Sequence, residues 1–233
     1  MNRCFPGLYL KIRQSRRTHP ASVIERILQS KREVIVVQVG SNDGSTGDPI
    51  YDLIIDHQEW RGIFIEPVPY LFDRLQKNYG NDPRFIFENV AIADREGKIP
   101  FYFINPGAKD ELKCHWHDWY EQLGSFQRKH IEHLLPTEFP SKFITECEVD
   151  CLPLSKILAL HTITTIDLLH IDTEGYDLQV LLQMDLQQNP PHIILIEHKH
   201  LTATDKALMQ DLLSKGGFEN EDLGSDFLAI RRK

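Results

Sequence analysis

No apolar run in the 233 residues approaches the length that a bilayer-spanning helix needs. The opening CFPGLYLK is too short, and too broken by Pro6 and Gly7, for a secretory signal, so a cytoplasmic location is expected. Cysteine is scarce. Cys4, Cys114, Cys147 and Cys151 are too few for a disulfide framework in a chain of this length, and reduced thiols are expected. Together with His115 and His117 these cysteines match no common zinc spacing, so none is assigned to a metal. The G-x-G-x-x-G of dinucleotide turns is missing as well; Gly40 and Gly44 stand in a G-x-x-x-G arrangement. No internal repeat or low-complexity linker divides the chain.

What is present suits one soluble domain with a sizeable core, at 41% hydrophobic and 26% charged residues. Charge is unevenly placed. Residues 1–32 hold eight Lys/Arg against Glu25 alone, a balance of +7; with −8 overall, the remainder carries −15. An acidic body repels phosphates, so nucleic acid is not an expected partner. The basic segment reads as a solvated arm ending in a helix around Ser22–Ser30, with an anionic surface as its other possible contact. The division is therefore an arm at 1–32 and a domain at 33–233, with an irregular insertion at about 105–142.

From Glu33 onward strand-like and helix-like segments alternate. VIVVQV (34–39), GIFIEP (62–67) and GKIPFYFI (97–104) read as strands, and RFIFENVAIAD (84–94) as a strand and its turn. TIDLLHID (165–172) and HIILIEH (192–198) continue the series. Helices are expected over 50–57, 70–79, 154–160, 177–184 and 205–213, with Asp48 capping the first and Asp172 or Thr173 capping the fourth. The last two runs, around Gly224 and Ser225, suit an antiparallel pair. Continuous apolar strands between helices predict a mostly parallel, Rossmann-like α/β sheet with helices on both faces. Ligands of such sheets bind outside the carboxyl ends of the strands.

Those ends carry a consistent set. The first presents Gly40, Ser41, Asn42, Asp43 and Gly44, where glycines let backbone amides approach a ligand. Glu66 closes the second strand, placed to accept two ribose hydroxyls. Asn89, Val90 and Ala91 follow the third and suit the edge and face of an adenine. Asp172 and Glu174 follow the strand LLHI, and Glu197, His198 and His200 end the next. The stretches VQVGSNDG (37–44), IFIEP (63–67), NVAIAD (89–94) and LLHIDTEGYD (168–177) resemble the FkbM family of class I S-adenosylmethionine-dependent methyltransferases. GSF at 124–126 is similar to a small-Ser-apolar step of that family.

The resemblance implies a seven-stranded sheet ending in a hairpin, with S-adenosyl-L-methionine as cofactor and S-adenosyl-L-homocysteine as product. It further implies that Gly40, Ser41, Asn42 and Gly44 pass under the methionine part, that Glu66 holds the ribose, and that Asn89, Val90 and Ala91 flank the adenine. Asp172 and Glu174 would face the reaction centre. The chain departs from the family pattern at Gln38, where an acid is commoner, and at His170, where lysine is. Asp43 is the residue weighed as compensating for Gln38.

O-methylation of a sugar, glycolipid or secondary metabolite is the leading activity. His198 is favoured as general base, with His200, Asp172 and His170 as other candidates. A divalent ion on Asp172 and Glu197 is the minority route. In the insertion, Trp116, Trp119 and Tyr120 either stack on the acceptor or pin the insertion to the core. NPPH (189–192) is read as a turn, since it precedes a strand where an amino-methylating loop would follow one. Two competitors stand beside this reading: a nicotinamide oxidoreductase, which the glycine spacing and terminal hairpin disfavour, and a non-catalytic nucleoside-binding or partner-docking module.

Overall fold

The computed structural model describes residues 19–232; Cys4 and most of the basic arm lie outside the described residues. Eleven strands are described, each in chain order: β1 (Val34–Val39), β2 (Trp60–Ile65), β3 (Phe85–Glu88), β4 (Ala91–Ile92), β5 (Gly97–Ile104), β6 (Gly124–Ser125), β7 (Ile144–Leu152), β8 (Leu168–Ile171), β9 (Ile193–Glu197), β10 (Phe218–Asp222) and β11 (Asp226–Arg231). Seven form the main sheet in the order β10-β11-β9-β8-β1-β2-β3. The five from β3 to β9 are parallel, while β11 runs antiparallel to both β9 and β10. Because β1 lies between β2 and β8, the chain reverses its direction of growth there, which opens a crevice at the carboxyl ends.

Strand alternation sorts the core into two layers. Val36, Phe64, Leu168 and Leu195 pack with helices α1 (Pro20–Leu28), α2 (Tyr51–Asp56) and α3 (Pro69–Tyr79). Val37, Ile63, Leu169 and Ile194 pack against the other helical layer, through residues such as Leu154, Leu181 and Met209. Proline begins both α1 and α3, where its missing N–H costs nothing, and α3 buries Leu71, Leu75 and Tyr79 at four-residue spacing. The helix that the sequence places in the arm belongs to the core, because Val23, Ile24 and Leu28 are fully buried.

Three expectations change. RFIFENVAIAD breaks after Glu88, so that β3 stays in the main sheet while β4 joins a second sheet ordered β4-β7-β5-β6. GKIPFYFI pairs there with β7, whose charged sequence ITECEVDCL alternates burial and exposure. Neither expected helix cap forms: Asp48 accepts from the Ile50 amide (2.7 Å) just before α2, and the segment 173–176 is tied by Asp177 instead. No helix among the described residues is long and apolar enough to cross a membrane.

Asp167 locks the amino-terminal side of the β1–β8 pair. Its carboxylate accepts from the Ile35 amide (2.9 Å) and pairs with Lys31, and its own amide donates to the Ile35 carbonyl (2.9 Å). Asp167→Ala leaves the Ile35 amide without that acceptor, and urea unfolding should show a loss of about 1–3 kcal/mol.

Candidate active site

The β1 turn is built on close backbone contact. The amides of Gly40 and Ser41 both donate to the Ile65 carbonyl (3.0 Å each), which carries the chain over the end of β2. Gly40 adopts φ +80°, and a Cβ there would lie 1.7 Å from the Asp172 carbonyl oxygen. Only glycine fits. Asp43 holds the rest of the turn: its carboxylate accepts from the amides of Ser45 (2.9 Å) and Thr46 (2.7 Å) and from the Thr46 hydroxyl (2.6 Å). Burial works against its charge, but these bonds outweigh it and hold the carboxyl below its usual range.

Glu66, 5% exposed, joins two loops. One oxygen accepts from the Asn42 amide and the other from the Val68 amide, each at 2.8 Å. Burial nevertheless pushes its carboxyl up to about 7. A carboxylate oxygen has two acceptor positions, so each retains one for a ligand hydroxyl.

At the base of the turn, Gln38 and His170 are direct cross-strand partners on β1 and β8. The Gln38 amide donates to the Asp48 carboxylate (2.8 Å) and to His170 Nδ1 (2.9 Å). That bond places the imidazole proton on Nε2 in the neutral ring, and burial holds the His170 pKa below its ordinary value. Gln38 is 1% exposed and His170 2%, yet Gln38 Oε1 and His170 Nε2 have no hydrogen-bond partner. Buried polar atoms left this way point to a ligand that completes them.

After β8, Asp177 accepts from the amides of Thr173 (2.8 Å) and Gly175 (2.9 Å) and from the Thr173 hydroxyl (3.1 Å). Burial raises it to about 6 all the same. Tied back in this way, the loop projects Asp172 and Glu174. Burial, then the charges of Glu197, Glu174, Asp177 and Asp226, holds Asp172 well above the carboxylate range.

These elements surround an open-mouthed cavity. Of the residues singled out in the sequence, Gly40, Ser41, Asn42, Glu66, Val90, Ala91, Asp172 and Glu174 line it. Asp43, Gly44 and Asn89 do not. Asp43 is occupied in its own turn, so it does not stand in for the acid missing at Gln38. A Cβ on Gly44 would meet Leu75 and Tyr79, so that glycine serves helix packing. Asn89 donates to the carbonyls of Glu66 (2.8 Å) and Pro67 (3.1 Å).

The histidines favoured as base also lie off the cavity wall. His198 stacks on Phe227 (3.9 Å between centroids) with Nε2 3.2 Å from Asp222, and His200 sits behind Glu174. Tyr120 anchors the insertion core, with edge contacts to Trp116, Trp119 and Phe139, and none of the three insertion aromatics lines the cavity. Gln122, Ser125, Phe126 and Tyr176 do, as do Asp48 and Thr46. Of these, only Ser125 and Phe126 carried a signal, within GSF; the others have no distinguishing spacing.

The reversing parallel sheet, terminal hairpin and cavity over the switch point define a Rossmann-like domain of the class I methyltransferase type. The family model described as "Methyltransferase FkbM domain" matches residues 38–231, and the chain belongs to that family of S-adenosylmethionine-dependent methyltransferases. No curated protein matches the chain. Among solved structures, it is similar to a Methanococcus jannaschii fibrillarin pre-rRNA processing protein, at 13% identity and TM-score 0.46 over 96% of this chain and 74% of that one. It is also similar to a ribosomal protein L11 methylase from Lactobacillus delbrueckii subsp. bulgaricus, at 11% identity and TM-score 0.44 over 92% and 77%. A precorrin-6y C5,15-methyltransferase from Geobacter metallireducens GS-15 aligns at 11% identity and TM-score 0.40 over 91% and 87%.

Glu66 gives this site a measurable pH signature. Its carboxyl ionises near 4.5 when unfolded and near 7 when folded, so the wild type loses stability as pH rises between those values. Glu66→Gln removes that loss. In urea titrations its stability relative to wild type should climb from pH 5 to pH 7 and level off above.

Proposed function

We propose that the protein transfers a methyl group from S-adenosyl-L-methionine to a hydroxyl of a small-molecule or carbohydrate acceptor, such as a sugar, glycolipid or secondary metabolite. One observation carries this reading: a single cavity at the switch point joins Glu66, with an acceptor position open on each oxygen, to Asp172, a carboxyl of raised proton affinity.

In this reading Glu66 accepts both ribose hydroxyls, while Val90, Ala91 and Leu71 supply apolar walls for the adenine. The methionine end meets the Gln38–His170–Asp48 group. Asp48 and Gln38 Oε1 accept from its ammonium, and His170 Nε2–H donates to its carboxylate. The acceptor enters beneath Gln122, Ser125 and Phe126, which the insertion brings over the turn; Gln122 donates to the Thr46 carbonyl (3.0 Å).

Methyl transfer from a sulfonium is an in-line displacement. The acceptor oxygen forms a bond to the methyl carbon, the carbon–sulfur bond breaks, and its electron pair stays on the sulfur of S-adenosyl-L-homocysteine. The hydroxyl proton passes to Asp172 in its ionised form, whose raised pKa makes that carboxylate a stronger base than an ordinary one. Alignment of the two reactants and exclusion of water supply the rest.

Calorimetry with S-adenosyl-L-methionine and S-adenosyl-L-homocysteine tests the cofactor, with NADH as control. Both should bind to wild type and NADH should not. Glu66→Ala should bind roughly tenfold or more weakly, since hydrogen bonds to a charged group are worth about 1.5–3 kcal/mol each. Binding without turnover of any hydroxylated acceptor would favour a nucleoside-binding module instead, and folded wild type that binds neither nucleoside overturns the proposal.

Asp172→Asn tests the base. Once an acceptor is found, kcat should fall by about 10²–10⁴-fold while S-adenosyl-L-homocysteine still binds. An unchanged kcat removes Asp172 from that role.

A further inference from the structure

Behind the Asp172 loop, the buried atoms Glu174 Oε2, Glu197 Oε2 and His200 Nε2 lie near one another without hydrogen-bond partners, and His130 Nε2, on a ring beside His200, is likewise unpartnered. The side chain of Glu197 is 4% exposed. Its other oxygen is held by Lys199 Nζ at 2.9 Å, which leaves Oε2 for the cluster. His200 Nε2 lies 2.9 Å from Glu174 Oε2 and 4.0 Å from Glu197 Oε2, and donor atoms of all three residues fall within 4.8 Å of one another.

The contact between His200 and Glu174 is close enough for a hydrogen bond but lacks the alignment of one. Two lone-pair-bearing atoms at this separation can face a common cation. Metal–ligand bonds of about 2.1 Å put neighbouring ligands of an octahedron about 3.0 Å apart and opposite ones about 4.2 Å apart. The two distances at His200 are close to those edges. We propose that Glu174 Oε2, Glu197 Oε2 and His200 Nε2 form a binding site for a first-row divalent metal ion.

Local charge agrees with a cation here. The carboxyl groups of Asp172, Glu174, Asp177 and Glu197 gather here around the single ammonium of Lys199. Burial opposes the charge on Lys199, yet Glu174 and Glu197 keep it protonated, so it does not compete as a ligand. Asp177 is already bound to Thr173 and Gly175, which leaves it outside the set. His130 faces His200 with 6.0 Å between ring centroids, over Gly175, where a Cβ would lie 2.9 Å from the His130 ring. One imidazole with two carboxylates suits Mn²⁺, Fe²⁺ or Zn²⁺ better than Mg²⁺ or Ca²⁺, which prefer oxygen alone. Of the three ligands only Glu174 also lines the cavity, so on the methyltransferase reading the ion lies behind the cavity wall rather than in it.

The test uses the full chain, freed of metal by a chelator and assayed without nucleoside. Mn²⁺ titration followed by electron paramagnetic resonance, and Zn²⁺ calorimetry, should each show one saturable site per chain, with Mg²⁺ at least tenfold weaker. His200→Ala and Glu174→Gln should each weaken Mn²⁺ binding about tenfold or more, with circular dichroism melts verifying the fold. In wild type, paramagnetic broadening should centre on His200, which keeps the assignment testable should a variant fail to fold. No saturable site in folded wild type, or broadening centred elsewhere, overturns the proposal. Nucleoside binding without metal binding leaves the methyltransferase reading intact and removes the ion; metal binding without nucleoside binding does the reverse.

Discussion

The site depends on one backbone contact, the approach of Gly40 to the carbonyl of Asp172. A side chain at position 40 would overlap that oxygen. With none there, β1 and β8 run side by side to their last residues, and the Asp172 amide closes the pair by donating to the Val39 carbonyl (2.9 Å). The glycine turn and the acidic loop are therefore a single packed unit. Glu66 extends it across β2, because one of its oxygens is fixed by the Asn42 amide within the same turn. Three strand ends far apart in sequence are thus held in register before any ligand arrives, and the ligand need not order them.

The two departures from the family pattern prove to be one. Gln38 and His170 face each other across β1 and β8, so an acid and a lysine at these positions would have been a buried ion pair. Here a neutral amide and imidazole occupy the same place and share a hydrogen bond. The exchange keeps the strands paired while avoiding two desolvated charges. It also leaves the negative charge at this corner of the cavity on Asp48, which the Gln38 amide holds at 2.8 Å. From sequence alone Asp48 looked like a helix cap, and nothing in its spacing pointed into the cavity.

The main sheet was legible because its strands are short β-branched runs ending in glycine or an acid. Those ends are where this topology puts ligands. The second sheet was not legible. β7 alternates apolar residues with Glu146, Glu148 and Asp150, and it lies after an irregular insertion with no turn signal that pairs it to β5. The cavity-lining residues Gly40, Ser41, Asn42, Glu66, Val90 and Ala91 followed from the strand ends, whereas the bonds and contacts of Asp43, Gly44 and Asn89 are local. The histidines misled because residue type and proximity in sequence do not give direction. β9 ends at Glu197, and the chain then turns His198 onto Phe227 and His200 behind Glu174.

The acids around β8 and β9 divide the work by hydrogen bonding rather than by position. Asp177 accepts three bonds and shapes the loop. Glu197 gives one oxygen to Lys199 and keeps the other buried among carboxylates. Asp172 lies on the cavity wall with the charges of Glu197, Glu174 and Asp177 behind it. Each neighbouring negative charge makes ionised Asp172 less favourable and a proton on it more so. Burial and then that repulsion raise the proton affinity of Asp172, and they cost folding stability as long as the acids stay ionised. A divalent ion behind the loop would relieve the cost and lower the basicity together. Were the Glu174–Glu197–His200 set occupied, its charge would lower the proton affinity of Asp172, so the two would be linked through the same cluster of acids.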